Sequence, residues 1–132
     1  GEMSRIMLAI KTVLADKDEI ETLIFDEIDA GISGRTAQMV ANKLNEIASM
    51  HQVICITHLP QIAAMADSHF LIEKSVKDNS TITSIIKTNG NESVLELARL
   101  LGGRTITDAV MLNAEEMKRL DFEEKKSDIY VN

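Results

Sequence analysis

Apolar residues follow two different periods along this chain, and the switches between them mark its elements. The opening stretch GEMSRIMLAIKTVLA carries Ile6, Ile10, Val13 and Leu14 at helical spacing and predicts a first helix. ETLIFDE then gathers Leu23, Ile24 and Phe25 into a continuous apolar run, as in a strand of a parallel sheet covered on both faces. Ser33 stands where an N-cap belongs, ahead of a helix from Gly34 to about Met50 with Val40, Leu44 and Ile47 at helical spacing. QVICIT reads as a second buried strand ending at Thr57 and His58, and Pro60 suits the first turn of a short helix through QIAAMA. Strand, helix, strand, helix in this order predicts a parallel α/β arrangement.

The pattern then changes. SHFLIEKS and TITSIIKT predict two antiparallel strands around a turn at Lys77, Asp78, Asn79 and Ser80. Ser93 and Glu96 have the spacing of a capping box for ESVLELARLL, which Gly102 and Gly103 stop. A last helix is expected from about Thr107 to Leu120, and DFEEKKSD reads as a charged, mobile tail. A chain of 132 residues suits one domain, with residues 1–120 as its body and 121–132 as that tail.

Composition narrows the function. A hydrophobic fraction of 45% with 27% charged residues is that of a globular protein. No apolar run approaches the roughly 20 residues of a membrane helix, so no membrane partner is expected. The lone Cys55 lies in an apolar stretch and fits a reducing, cytoplasmic setting as a small buried hydrophobe. A net charge of −7 argues against an overall electrostatic grip on nucleic acid, though not against a local basic patch.

In a parallel α/β sheet, ligands bind beyond the carboxyl ends of the strands, where Asp26, Glu27 and His58 all fall. This constellation has a phosphate-hydrolysis reading. The first carboxylate holds Mg²⁺ through its waters. The second polarises an attacking water as general base. The histidine hydrogen-bonds the terminal phosphate. Taken singly, each residue has a plainer reading: an acidic surface turn, or a histidine at a helix start. His51 and His69 are left at the plainer reading of a helix-start or core histidine, and the seven methionines at packing.

The order of the pieces resembles the second half of an ATP-binding-cassette ATPase head. Gly1 and Glu2 look like the end of an LSGGE signature, TLIFDE like Walker B, IDAGISG like the D-loop and CITH like the switch histidine. Within that superfamily, DEIDAGISG, ITHLPQIAAMADSHFLIEK and ELARLLGG resemble the RecN family of bacterial DNA-repair proteins, relatives of the SMC proteins. The resemblance covers the chain to about residue 120, whereas SMC heads usually read DEIDAALD at the D-loop. It implies a partial P-loop NTPase head with ATP and Mg²⁺ as cofactors. Asp26 would serve the Mg²⁺ shell, Glu27 would activate water and His58 would contact the γ-phosphate. Gly1 and Glu2 would face ATP held by the opposite head, where helix N-terminal N–H groups suit an anion. Asp29 to Gly34 would line the dimer interface, with Ser33 in the place where most D-loops have Asp.

No GxxxxGK[ST] phosphate loop occurs in these residues, and the Leu-Ser-Gly of the signature is missing. The expectation is an excised, C-terminal part of a head that neither binds nor hydrolyses ATP alone. Its partners would be the N-terminal half of the same head, whose phosphate-loop strand would lie beside QVICIT, a second head in a homodimer, and DNA. The expected location is cytoplasmic and nucleoid-associated. Three other readings stand beside it. One is the head of another SMC-type ATPase. Another is a Mg²⁺-dependent nuclease or topoisomerase-like site on Asp26, Glu27 and Asp29. The last is a non-catalytic interaction module whose acidic rim is only surface.

Overall fold

In the computed structural model, which describes residues 1–14, 19–77 and 80–129, the first half of the chain builds a parallel strand pair flanked by helices. Helix α1 (Glu2–Leu14) leads to β1 (Thr22–Phe25), α2 (Gly34–Ala48), β2 (Gln52–Cys55) and α3 (Pro60–Ala64). β1 pairs with β2 from Thr22↔Gln52 to Phe25↔Cys55. Bonds from Gln52 N to Glu21 O (2.8 Å) and from Ile56 N to Phe25 O (2.9 Å) carry the ladder one step past each end. One core joins these elements: Leu8 of α1, Leu23 and Phe25 of β1, Ile28, the α2 row Val40, Ala41, Leu44 and Ile47, and Ile62 of α3. Pro60 occupies the first turn of α3, after Leu59 in the extended conformation that a following proline enforces.

Coverage of this half is uneven. The strand pair is covered on one face: Leu23 and Phe25 are buried, while Ile24 is 67% exposed and Ile54 beside it 45%. Strand period 2 sends alternate residues to opposite faces, and the described elements fill only one of them. In α1, Ile6, Ile10, Val13 and Leu14 are exposed, and Leu8 is the residue that enters the core. The helix turns that way because Ser4 and Arg5, one turn before Leu8, bond the loop after β1. Ser33 is at the N-cap of α2 with an extended backbone, but its hydroxyl makes no capping bond.

The second unit, Ala66–Asn132, holds a hairpin and two helices. β3 (Phe70–Lys77) and β4 (Ser80–Lys87) pair antiparallel from Phe70↔Lys87 to Lys77↔Ser80. The turn residues Asp78 and Asn79 lie outside the described residues. α4 (Gly90–Gly102) starts earlier than the Ser93 reading placed it. Its capping box is Asn89 with Glu92: the Asn89 side chain accepts from Glu92 N (3.0 Å), and Glu92 Oε2 accepts from Asn89 N (2.8 Å). Asn caps as well as Ser, and here it opens the helix four residues sooner. Ser93 is instead buried beside His69 Nδ1 at 2.9 Å, and Glu96 takes Arg99 in two bonds of 2.7 and 2.6 Å. Gly103, at φ 64°, caps the C-terminus of α4 as the paired glycines predicted.

α5 (Asp108–Ile129) continues past Leu120, so most of the stretch read as a tail is helical. Its charges fall at helical spacing, with Arg119 on Glu123 at 2.9 Å and Lys125 near Asp121 at 3.6 Å, each four residues apart. Among the described residues no helix is long and apolar enough to cross a membrane.

Candidate functional site

The parallel pairing brings the carboxyl ends of β1 and β2 to one rim. The chain leaves β1 as Asp26-Glu27-Ile28-Asp29, and these four residues divide into two pairs. Asp26 and Glu27 are exposed, while Ile28 is fully buried and Asp29 is 3% exposed. Glu27 sits at φ 56°, in the left-handed region where residues other than glycine are uncommon. That turn lets the chain throw both carboxylates outward and then plunge Ile28 into the core. Ala30 N to Glu27 O (3.1 Å) and Ile32 N to Asp29 O (3.3 Å) close the loop.

The N-terminus of α1 clamps this loop from outside. Ser4 Oγ donates to Asp26 O at 3.1 Å, and Arg5 Nη1 donates to Ile28 O at 3.1 Å and Ala30 O at 2.9 Å. Gly1 lies so close that a Cβ there would stand 2.7 Å from the Ala30 Cβ and 2.9 Å from Glu27 O. Only glycine fits at that approach. Glu2 is exposed in the first turn of α1, and Ser33 is exposed at the far end of the loop.

Asp29 ties the β1 loop to the end of β2. Its Oδ2 accepts from Thr57 Oγ1 at 2.6 Å and from His58 N at 2.8 Å, and lies 3.0 Å from His58 Nδ1. Burial by itself would raise its pKa. The bonds from Thr57 and the His58 amide, with the His58 ring, outweigh that and hold the carboxyl below its ordinary value. The His58 side chain is otherwise open, 71% exposed. Cys55, half-buried at the end of β2, has its thiol pushed up to about 12 by burial, helped by the negative charges of Asp29 and Asp26. At that pKa the thiolate, the reactive form, is scarce near neutral pH. His51 is a core histidine, 8% exposed, with Nδ1 2.6 Å from Ile20 O.

The donor set fits a hydrated Mg²⁺, which takes one or two carboxylates and keeps several waters. Exposed Asp26 and Glu27 can supply these. A three-carboxylate cage does not form, because Asp29 Oδ2 is engaged by Thr57 and His58 and faces away from solvent. Among the described residues no three His, Cys, Asp or Glu side chains cluster as a metal group. The sequence put Asp26, Glu27 and His58 at one rim. It missed Asp29 as their buried link and Ser4 and Arg5 as the clamp, whose partners lie more than twenty residues away.

The fold is that of part of an SMC-type ATPase head. A solved SMC ATPase structure, described for ATP-driven dimerization and DNA-stimulated activation, matches 80% of this chain and 62% of its own at TM-score 0.56 and 22% identity. In sequence the chain is RecN-like. It is 44% identical over 117 residues to DNA repair protein RecN of Bacillus subtilis, and 48% identical over 117 residues to that of Haemophilus influenzae. It is also 44% identical over 128 residues to that of Treponema pallidum. These matches cover 89%, 89% and 97% of the chain respectively but 20%, 21% and 22% of the relatives, so the chain spans about a fifth of the curated relatives it matches. No family model matches it.

Proposed function

We propose that this chain is the C-terminal part of the ATPase head of a RecN-like protein that acts in DNA double-strand-break repair. The observation that carries the reading is one rim holding Asp26, Glu27 and His58, with both carboxylates exposed and the histidine anchored through Asp29. Asp26 would hold a hydrated Mg²⁺, which would supply charge neutralisation to the phosphates. Glu27, held outward by its left-handed turn, accepts a proton from the attacking water. His58 turns its open ring edge to the terminal phosphate and holds it in line. Gly1 and Glu2 open α1 at the surface, where N-terminal N–H groups suit ATP held by a second head, and Ser33 lies on the loop that meets that head.

The remaining partners follow from what the described residues leave uncovered. Ile24, Ile54 and Ile56 form an apolar face of the strand pair that would pack against the N-terminal half of the same head, which brings the phosphate loop. Without that half the chain neither holds Mg-ATP tightly nor hydrolyses it. The whole protein would work in the cytoplasm on DNA, as a homodimer of heads joined by ATP and released by hydrolysis. A nuclease reading is disfavoured by Asp29, which is turned from the two exposed carboxylates toward Thr57 and His58.

The test is Glu27→Gln in the full-length protein. ATP binding and head engagement should persist while turnover falls by about 10²-fold or more, the scale of a lost general base. Turnover at the wild-type rate would overturn the assignment, and normal repair by that variant would favour a non-catalytic module.

A further inference from the structure

We propose that Asp29 is a positioning residue for hydrolysis, fixing the orientation and tautomer of His58 so that Nε2 is the ring nitrogen offered to the nucleotide. The inference rests on the ATPase reading above and adds a residue to it. His58 Nδ1 lies 3.0 Å from Asp29 Oδ2 in an ion-pair contact, and because a carboxylate can only accept, a proton on Nδ1 is the arrangement this contact favours. Nε2 is then left at the exposed edge of the ring, whose side chain is 71% open. In that neutral tautomer Nε2 is an acceptor, able to take a hydrogen bond from the attacking water beside the terminal phosphate and hold it in line, which the opposite tautomer cannot do.

The geometry goes beyond a chance ion pair. The same oxygen that holds the ring also takes the His58 backbone N–H at 2.8 Å and the Thr57 hydroxyl at 2.6 Å. Thr57 Oγ1 in turn accepts from Leu59 N at 3.0 Å. Ring, backbone and neighbouring hydroxyl of the β2 end are therefore registered on one buried oxygen of the β1 loop. A solvated aspartate would pair with the ring without fixing it.

The experiment is steady-state ATP hydrolysis by full-length protein carrying Asp29→Asn, His58→Ala or both. An asparagine can present its NH₂ to Nδ1 and stabilise the opposite tautomer, so Asp29→Asn should lower kcat by about 10- to 100-fold with KM nearly unchanged. In the His58→Ala background the same change should cost nothing further, because Asp29 acts through that ring. An unchanged kcat, or losses that multiply in the double variant, would overturn the proposal. ¹⁵N resonances of histidine-labelled wild type, with His58 assigned from His58→Ala, give a readout that needs no Asp29 variant to fold. Neutral His58 should show Nδ1–H, and Nε2–H would overturn the proposal. If Glu27→Gln also hydrolyses normally, the ATPase reading itself has failed. If Glu27→Gln is inactive while Asp29→Asn is not, only this inference has.

Discussion

Arg5 offers the sharpest test of how the loop after β1 is held. Its Nη1 donates to Ile28 O at 3.1 Å and to Ala30 O at 2.9 Å, the first partly buried and the second exposed. Bonds from a charged donor contribute about 1.5–3 kcal/mol each when sheltered. Taking the lower end for the Ile28 bond and a fraction of it for the exposed one gives about 2 kcal/mol. Arg5→Met keeps the aliphatic stem and its packing while removing both bonds. The loop should then open about 30-fold more often, since each 1.4 kcal/mol is a factor of ten. Hydrogen exchange at Ala30 and Ile32 reads this directly, because their amides close the loop onto Glu27 O and Asp29 O. Arg5→Lys, a point charge without the planar fork, should fall between. Amides in the middle of α2 should not change. If Ala30 and Ile32 exchange within about threefold of wild type in Arg5→Met, the clamp is not what orders the loop.

Three further outcomes are expected. Asn89→Ala should remove one arm of the α4 capping box and lower the stability of the second unit by about 1 kcal/mol, measured by urea unfolding followed in that unit. Cys55 should react with a maleimide far more slowly than a solvated thiol near neutral pH, since a thiol pushed up to about 12 is almost entirely protonated there; alkylation at the rate of a small free thiol would contradict its burial. Asp29 has a folded pKa below its ordinary value, so its contribution to stability is complete above the normal carboxylate range and is lost as pH falls through the depressed value. The stability difference between wild type and Asp29→Asn should therefore be largest near neutral pH and shrink in acid, as read from denaturant midpoints across a pH series.

Much of the fold was legible because it rests on local pattern. Pro60 at the first turn of α3 and the glycine pair after α4 act through backbone preferences that the sequence states outright. The parallel pair was legible for the same reason, in its apolar runs and the helix between them. The cap of α4 was misplaced because Asn89-Glu92 and Ser93-Glu96 carry the same spacing, and only the burial of Ser93 and the pairing of Glu96 with Arg99 separate them. The direction α1 faces was hidden more deeply. Its apolar row points outward because Gly1, Ser4 and Arg5 face the loop, and their partners are main-chain atoms of a segment remote in sequence. Asp29 was hidden likewise: a buried carboxylate reads the same as an exposed one until Thr57 and His58 come beside it.

The left-handed backbone at Glu27 shows why these hidden contacts matter to the site. A non-glycine residue in that region costs of order 1–3 kcal/mol, and nothing in Glu27 itself repays it. The neighbours do. Burying Ile28 completely contributes about 1.5–3 kcal/mol. The two hydrogen bonds that Asp29 accepts and the sheltered one that Arg5 donates to Ile28 O each add about a kcal/mol or more. Anchors on both sides of residue 27 thus exceed the strain between them, and the turn is held where a lone Asp-Glu dipeptide would relax. A glycine there would relieve the strain and keep the loop, but it would carry no carboxylate. The sequence keeps Glu27 at the strained position and places the compensating contacts at Gly1, Ser4, Arg5, Ile28 and Asp29, the expected arrangement when an outward carboxylate is worth more to the molecule than a relaxed turn.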